Sequence, residues 1–391
     1  MISEKAKNIS PSITLEIGGK VKTMIANGEK ITNLTLGEPD FFTPSKAKLA
    51  GIKAITDNLT KYDLSSGNLE LKKAICEKLE SENNIKYTPD QIVASNGAKH
   101  AITNAAFAVI NPGDEVIIPV PCWVSYPEIV KLAGGVPVLV PTKKENSFKM
   151  TVEDVQKYVT EKTKMVILTN PNNPTGAVFT KDELLSICEY FTKKGIIIMS
   201  DEIYESITFD FDFVSVASLS KEIYDNTIII NGFSKCASMT GWRLGYSACS
   251  VEIAKSIASI QSHMTAHPST ISQQAGIVAL RECQDDVLTM KNTYKQRRDY
   301  IVDFFKNWGN LEIIYPQGAF YAFIDISSLK DKLGSDELSL KFCNDILDKE
   351  KLALVPGAGF FEDDFVRLSY AASMEEIKDG LEKIKHYVEN L

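Results

Sequence analysis

Cysteine is scarce in this sequence and is never clustered. The chain has seven cysteines among 391 residues, and no two of them are spaced as Cys-x-x-Cys. A disulfide scaffold requires many cysteines, and a structural zinc site requires closely spaced ones. We therefore expect neither feature, and we expect reduced, buried thiols in a cytoplasmic protein.

The chain also lacks an excess of positive charge and any long apolar run. Lysine and arginine total 43 against 51 aspartates and glutamates, which gives a net charge of -8. This balance argues against a surface that binds nucleic acid. No apolar run approaches the roughly 20 residues that a membrane-spanning helix requires, so we expect no membrane partner.

Short apolar runs alternate with longer amphipathic segments between about residues 90 and 250. This alternation predicts an α/β fold with a mainly parallel, seven-stranded sheet that is covered by helices. The predicted strands are 92–94, 115–119, 136–140, 165–168, 196–199, 227–230 and 244–248.

The pattern changes after about residue 285. A charged helical stretch (287–308) precedes a strand-like run (319–326) and further helices, which is typical of a smaller α+β domain. The opening segment contains a helix-like stretch (15–27) and a strand-like one (31–36), but it has no sheet of its own. We therefore predict a large domain over 45–285, and a small domain formed by 1–44 together with 286–391.

Polar residues follow three of the predicted strands. Asn173, Asp201 and Lys235 each come shortly after an apolar run. In an open parallel sheet, ligands bind beyond the carboxyl ends of the strands. We therefore expect an amide, an acid and a lysine to converge on one crevice.

Lys235 and Arg243 together indicate a phosphorylated aldehyde as ligand. A lysine at a strand end can be desolvated enough to attack an aldehyde. Arg243, eight residues later, suits bidentate phosphate binding. Pyridoxal phosphate has both groups, and Asp201 could pair with its ring nitrogen, because a protonated ring is the better electron sink.

The segment 232–245 resembles the lysine signature of the class I aminotransferases, which have pyridoxal phosphate fold type I. Its sequence is Gly-Phe-Ser-Lys-Cys-Ala-Ser-Met-Thr-Gly-Trp-Arg-Leu-Gly. Further segments similar to this family occur in the expected order along nearly the whole chain, and the aspartate aminotransferase branch of bacteria and archaea is the most similar. These segments are 36–41, 61–67, 96–99, 121–123, 170–176, 201–204, 318–321 and 366–369.

The resemblance implies a role for each residue around the cofactor ring. Lys235 would bind the cofactor aldehyde and then move the substrate proton. Asp201 would pair with the pyridinium nitrogen, while Tyr204 and Asn173 would donate hydrogen bonds to the ring oxygen. Trp123 would stack on the ring face.

The resemblance likewise implies how the phosphate and the substrate are bound. The backbone of Gly97, Ala98 and Lys99 would hold the phosphate at a helix N-terminus. The further phosphate ligands would be Arg243, Ser234 and Tyr62, the last from the neighbouring subunit of a homodimer with shared active sites. Arg367 would bind the substrate α-carboxylate, and Gly37, Trp123 and Asn173 would complete the substrate site.

Each of these residues also has a simpler interpretation when taken alone. Asp201 could be a helix N-cap, Trp123 a core aromatic and Arg367 half of a surface ion pair. Their joint occurrence in order favours the catalytic interpretation. His263 and His267 have a spacing that metal ligands use, but Pro268 and the lack of a nearby carboxylate argue against a metal site.

The sequence therefore predicts a transaminase that exchanges an amino acid for a 2-oxo acid, with aspartate as the leading donor and 2-oxoglutarate as acceptor. The alternatives are an aromatic-amino-acid or alanine aminotransferase, a carbon-sulfur β-lyase, or a noncatalytic regulator that binds pyridoxal phosphate. The regulator is disfavoured because Lys235 and Arg367 are both present. The segments expected near a distal carboxylate contain no lysine or arginine, so we expect recognition by hydroxyls, water and His263, with side activity toward neutral donors. Those segments are 10–14, Phe107 and, on a loop of the neighbouring subunit, 262–265.

Overall fold

In the described part of the chain, the strands form sheets of seven, four and two strands. The computed structural model describes residues 2–10 and 13–391. In chain order the strands are β1 (Thr32–Asn33), β2 (Ile92–Ser95), β3 (Glu115–Val120), β4 (Val136–Pro141), β5 (Thr163–Thr169), β6 (Ile197–Asp201), β7 (Thr227–Gly232), β8 (Gly245–Ala248), β9 (Glu312–Ile314), β10 (Tyr321–Asp325), β11 (Leu352–Ala353), β12 (Val355–Pro356) and β13 (Phe365–Ser369).

Helices cover these sheets and connect the strands. They are α1 (Glu4–Lys7), α2 (Ile13–Ala26), α3 (Ser45–Thr56), α4 (Leu69–Asn83), α5 (Ala98–Val109), α6 (Ser125–Leu132), α7 (Val152–Val155), α8 (Lys181–Thr192), α9 (Lys221–Asp225), α10 (Phe233–Cys236), α11 (Val251–Met264), α12 (Thr270–Glu282), α13 (Gln284–Trp308), α14 (Lys330–Leu333), α15 (Leu338–Glu350) and α16 (Met374–Glu389). Among the described residues, no helix is both long and apolar enough to cross a membrane.

The seven-stranded sheet has the order β2-β8-β7-β6-β5-β3-β4. Its strands run parallel except β8, which is antiparallel to both β2 and β7. The central strands are buried on both faces, as the unbroken apolar runs of their sequences require. The predicted α/β class and mainly parallel, seven-stranded sheet are therefore confirmed, with strand ends within two residues of the prediction.

The register of the three central strands brings their carboxyl ends together. Thr169 at the end of β5 pairs with Asp201 at the end of β6, and Asp201 pairs with Ile230 of β7. Lys235 follows β7 after a single turn, within α10. The three polar segments that follow these strands therefore begin at one edge of the sheet.

The four-stranded sheet is antiparallel, has the order β12-β13-β10-β9 and belongs to the C-terminal part of the chain. The N-terminal segment pairs with this part, because Thr32 and Asn33 run parallel to Leu352 and Ala353 of β11. The strand-like run predicted over 31–36 is shorter in the structure, where β1 ends at Asn33. The proposed division into 45–285 and 1–44 with 286–391 stays a prediction.

Helix α2 lies against the C-terminal part through one of its faces. Val21 is buried there with Leu347 of α15 and Ala353 of β11, and Ile17 and Met24 pack beside it. The Nζ atom of Lys20 lies 3.6 Å from an Asp348 carboxylate oxygen on α15. These contacts fix the rotation of the helix about its axis and hence the face it turns away from α15.

Residues 36–43, which we call the strap, connect the N-terminal segment to the rest of the fold. Thr240 donates a hydrogen bond of 2.8 Å to Glu38. Arg297 of α13 makes two hydrogen bonds of 2.7 Å to the Asp40 carboxylate. The strap is thereby held against both α13 and the loop that carries Arg243.

Candidate active site

A cavity of about 550 Å³ lies where the carboxyl ends of β5, β6 and β7 meet the strap, α2 and β13. It contains most of the residues that the sequence predicts for the site. Its lining includes Gly18, Gly19, Lys22, Gly37, Glu38, Ala98, Lys99, Trp123, Tyr126, Thr169, Asn173, Asp201, Tyr204, Ser234, Lys235, Arg243, Tyr321 and Arg367.

Lys235 presents an amine to this cavity. Its Nζ donates a hydrogen bond to the carbonyl oxygen of Gly37 in the strap. Burial lowers the pKa of Lys235 to about 8; the charge of Glu38 opposes this decrease, and those of Arg367 and Arg243 add to it. Roughly a tenth of this lysine is therefore the neutral, nucleophilic amine at pH 7, far more than for an ordinary lysine.

Asp201 is the acid at the end of β6 and is only 4% exposed. The Tyr126 hydroxyl donates a hydrogen bond of 2.6 Å to its Oδ2 atom, and the backbone N–H of Ile203 donates one of 3.2 Å to Oδ1. Burial raises the pKa of Asp201 to about 6, although both hydrogen bonds act to lower it. A cation placed at this carboxylate would stabilise its charged form.

Tyr126 itself was not predicted from the sequence. It lies in the first turn of α6, three residues after Trp123, and its hydroxyl also lies 2.7 Å from Thr169 Oγ1. The two rings make an edge-to-face contact at 5.2 Å. The sequence did offer a signal for it, because Tyr126 comes three residues after Trp123 and residues three apart lie on one side of a helix.

Tyr204 lies beside the predicted acid and amine, with its hydroxyl 2.8 Å from that of Tyr321 on β10. Burial raises the pKa of Tyr204 well above its usual value, so that the hydroxyl keeps its proton. Tyr321 occurs in one of the segments that carry the family resemblance, but its contact with Tyr204 joins residues 117 positions apart in the chain. Sequence spacing does not reveal such a pair.

Arg367 on β13 has a buried guanidinium, 4% exposed, and no carboxylate partner among the described residues. It donates hydrogen bonds of 3.0 Å to the Asn173 side-chain oxygen and to the Thr35 carbonyl. Its Nε atom is buried and unpartnered. A buried charge with an unused donor is unfavourable unless an anion binds it, so this arginine fits a ligand carboxylate.

The opposite end of the cavity is built for a second anion. Gly97 precedes α5 with a φ of +86°, and a Cβ there would lie 2.5 Å from an Arg243 Nη atom. The glycine therefore lets the guanidinium lie against the helix N-terminus, where backbone N–H groups attract anions. Lys99 follows in the same turn, with its Nζ 4.8 Å from the centre of the Trp123 ring. Burial and the neighbouring Arg243 lower the pKa of Lys99.

These groups fit pyridoxal phosphate as the cofactor. The Asp201 carboxylate suits a ring nitrogen, the Lys235 amine suits an aldehyde, and the pairing of Arg243 with the α5 N-terminus suits a phosphate. Ser234 and Trp123 also line the cavity. The Arg367 guanidinium, whose Nε has no partner among the described residues, remains for a substrate carboxylate.

Some predicted residues lie elsewhere. Tyr62 is 93% exposed outside this cavity, and its ring contacts that of His267 at 5.8 Å. His267 accepts a hydrogen bond from the Asp63 N–H, and its other ring nitrogen lies 2.8 Å from the Pro268 carbonyl oxygen.

Within residues 2–10 and 13–391, no group of three or more potential metal-ligating side chains occurs.

Ser10 and Phe107, which belong to the segments predicted near a distal carboxylate, are not part of the described cavity lining. Pro11 and Ser12 lie outside the described residues, and the Ser10 N–H donates a hydrogen bond to the Glu128 carboxylate on α6. Phe107 is absent from the described lining, whereas Lys22 is part of it. The segment 262–265 is expected from the neighbouring subunit and stays a prediction. The sequence prediction therefore missed a cation at this cavity.

Comparison with known proteins identifies close relatives over the whole chain. The family model for aminotransferase class I and II matches residues 29–384. A probable aspartate/prephenate aminotransferase of Aquifex aeolicus is 43% identical over 100% of this chain and 99% of its own length. The aspartate aminotransferase of Bacillus subtilis is 40% identical over 99% of this chain and 99% of its own length.

Solved structures give the same result. Aspartate aminotransferase from Thermus thermophilus with maleate superposes with a TM-score of 0.94 at 35% identity, covering 99% of both chains. The aspartate aminotransferase from Thermotoga maritima gives 0.93 at 36% identity, covering 99% of this chain and all of the other.

Replacement of Tyr126 by phenylalanine tests how Asp201 keeps its charge. Loss of the donated hydrogen bond should raise the pKa of Asp201 above about 6, because the hydrogen bond favours the carboxylate. As the pH is lowered from 8 to 5, affinity for pyridoxal phosphate should therefore begin to fall at a higher pH in the variant than in the wild type. At pH 6 the variant should bind the cofactor about tenfold more weakly than the wild type does.

Thr169→Val is the matched control, because it removes the other partner of Tyr126 and leaves the contact with Asp201. It should shift the pH profile less than Tyr126→Phe does. An unchanged midpoint in Tyr126→Phe would exclude this role for the hydroxyl.

Proposed function

The chain belongs to the class I and II aminotransferases, and we propose that it transfers the amino group of L-aspartate to 2-oxoglutarate. The enzyme is a pyridoxal phosphate-dependent transaminase of fold type I that uses amino and 2-oxo acids as substrates. The choice of aspartate is supported by the names of the relatives, which are aspartate or aspartate/prephenate aminotransferases.

One observation carries the assignment of roles: the Arg367 guanidinium, with an unpartnered Nε, shares a cavity with the Lys235 amine. Arg367 binds the substrate α-carboxylate with the help of Asn173 and Gly37. This contact orients the Cα–H bond relative to Lys235, and such orientation contributes to catalysis by itself. Trp123 forms one wall of the substrate site.

Pyridoxal phosphate, when bound, supplies an aldehyde and an electron-withdrawing ring. Lys235 binds the aldehyde and later accepts and returns the substrate proton at Nζ, for which its lowered pKa is suited. Asp201 pairs with the ring nitrogen, and Tyr126 holds Asp201 in its charged form. Tyr204 and Asn173 donate hydrogen bonds to the ring oxygen.

The phosphate is proposed to lie at the N-terminus of α5. The backbone of Gly97, Ala98 and Lys99 and the guanidinium of Arg243 bind it, and Ser234 adds a hydroxyl. The close approach of Arg243 to Gly97 supports this position.

We further propose a homodimer in which Tyr62 of one subunit completes the phosphate site of the other. Apolar side chains are exposed along α3 and on either side of it, and an apolar surface of this extent is typical of a protein interface. They are Phe42, Leu49, Ile52, Ile55, Leu59, Tyr62 and Leu64.

We also propose that the protein is cytoplasmic. The seven cysteines are unpaired, which supports this location.

A bulkier oxo acid is the second candidate substrate. The Aquifex aeolicus relative is named for prephenate as well as aspartate. In this chain, α2 turns two glycines toward the cavity, and a Cβ at Gly18 or Gly19 would meet nothing within 4 Å. This open space favours acceptance of a substrate larger than aspartate.

Replacement of Lys235 tests its covalent role. Borohydride reduction of the wild-type holoenzyme should attach the cofactor irreversibly to one peptide, which mass spectrometry should identify as the one containing Lys235. Lys235→Ala should lose both the tag and at least about 100-fold in kcat, because the proton carrier is gone. Lys99→Ala should keep the tag, and a tag on any lysine other than Lys235 would contradict the assignment.

A panel of donors tests the substrate proposal. With 2-oxoglutarate as acceptor, kcat/KM should be highest for aspartate and measurably lower for phenylalanine and alanine, because only aspartate offers a second carboxylate to a positively charged cavity. Each oxo-acid product should be identified. A strong preference for phenylalanine or alanine would replace aspartate as the donor, and release of pyruvate and sulfide from cysteine as the main reaction would indicate a β-lyase.

Hybrid dimers test the sharing of sites. Lys235→Ala and Tyr62→Asp subunits should each form poorly active homodimers, since one lacks the amine and the other places a negative charge at the phosphate. A hybrid of the two contains one site with both original side chains and should recover up to about half of the wild-type activity. Hybrids verified by native mass spectrometry that are no more active than the Tyr62→Asp parent would place each site within one chain.

A further inference from the structure

Helix α2 turns a distinct face toward the active-site cavity. Gly18, Gly19 and Lys22 line the cavity, whereas Ile17, Val21 and Met24 pack on the opposite side against the C-terminal part. The spacing of these two sets is that of two faces of one helix. Residues 18, 19 and 22 therefore form a surface that a substrate in the cavity would face.

The two glycines are not required by the fold. Glycine is, after proline, the least favourable residue in a helix interior. Neither Gly18 nor Gly19 has a positive φ, and a Cβ at either position would meet no described atom within 4 Å. Backbone conformation and packing would thus both accept a larger residue, and the observed effect of the glycines is to leave open space beside the cavity.

Lys22 is a cation without a partner among the described residues. Lys20, two positions earlier, lies 3.4 Å from the Asn344 side-chain oxygen and 3.6 Å from an Asp348 carboxylate oxygen. Lys22 makes no such contact with the described residues and lies on the cavity side. Among the other cationic side chains of the described lining, Lys235 and Arg243 are assigned to the cofactor, Arg367 is assigned to the α-carboxylate, and Lys99 lies over the Trp123 ring. Lys22 therefore remains available for a second negative charge on the substrate.

We propose that Gly18, Gly19 and Lys22 form the side-chain end of the substrate site. The Lys22 ammonium binds the distal carboxylate of dicarboxylic amino and 2-oxo acids, and the glycines leave room for side chains longer than that of aspartate. This inference rests on the proposed function and names its specificity residues. It replaces the sequence-based expectation that hydroxyls, water and His263 recognise the distal group.

A lysine suits this task because one site must accept acids of different length. In the proposed exchange, aspartate and 2-oxoglutarate occupy the same cavity in turn, and their distal carboxylates lie at different distances from Arg367. A lysine carries a compact charge on a flexible four-carbon chain, whereas an arginine presents a rigid fork. Lys22 can therefore follow both carboxylates without any change in α2.

The kinetic test compares Lys22→Gln with Lys20→Gln as the matched control. In Lys22→Gln, kcat/KM should fall about tenfold to 100-fold for aspartate and for 2-oxoglutarate, and should change less than twofold for phenylalanine and alanine, because only the first two place a charge at residue 22. Lys20→Gln should leave every value within twofold of wild type. Equal losses for charged and neutral substrates in Lys22→Gln would overturn the proposal.

Gly19→Leu tests the open space separately. Leucine is a strong helix former, so the melting temperature should stay equal to or exceed that of wild type. The variant should lose activity in the order 2-oxoadipate, 2-oxoglutarate, then oxaloacetate, with the longest acid affected most. An unchanged order of preference in a stably folded variant would contradict the role of the glycines.

A binding measurement separates this inference from the proposed function. Calorimetric titration of the holoenzyme with glutarate and with butyrate should give tighter binding for glutarate, and Lys22→Gln should remove most of the difference. If wild type fails to use aspartate but still prefers glutarate through Lys22, the donor assignment is wrong and the dicarboxylate site stands. If glutarate shows no Lys22-dependent preference, this inference is wrong whatever the donor.

Discussion

The hydrogen-bond register between β5, β6 and β7 determines where the chemistry of this protein can occur. It places Thr169 beside Asp201 and Asp201 beside Ile230, so that the acid and the turn carrying Lys235 emerge at one edge. A shift of β6 by one residue would turn the Asp201 side chain to the other face of the sheet. The apolar strands, which are buried on both faces and fix this register, therefore also determine the positions of Asp201 and Lys235.

The cavity concentrates charge that the folded chain does not neutralise by itself. Arg367 is buried without a carboxylate, burial and nearby cations lower the pKa of Lys235, and burial raises that of Asp201. The buried charge of Arg367 and the burial of Lys235 and Asp201 are unfavourable in the isolated protein, and a bound ligand of opposite charge relieves each of them. Cofactor and substrate should therefore stabilise the folded state, because a ligand that binds only the native form shifts the folding equilibrium.

The strands and the segments around Lys235 could be predicted from sequence because their signals are local. An apolar run forms a strand wherever it is covered, and the fourteen residues around Lys235 form one contiguous motif. Tyr126 and Lys22 could not be predicted in the same way. Tyr126 reaches Asp201 across 75 positions of the chain. Which side of α2 Lys22 occupies depends on how Ile17, Val21 and Met24 pack on α15 and β11.

The anchoring of α2 has a consequence for how the two charged ends of a substrate are bound. The helix packs on β11 and α15, and β11 is followed directly by β12, which pairs with the strand that carries Arg367. The two cations proposed to bind the ends of a dicarboxylic acid thus stand on one connected set of elements, while the reactive amine stands on another. On this proposal, the C-terminal part and the helix packed on it bind both charged ends of a dicarboxylic acid, independently of the chemistry at its α-carbon.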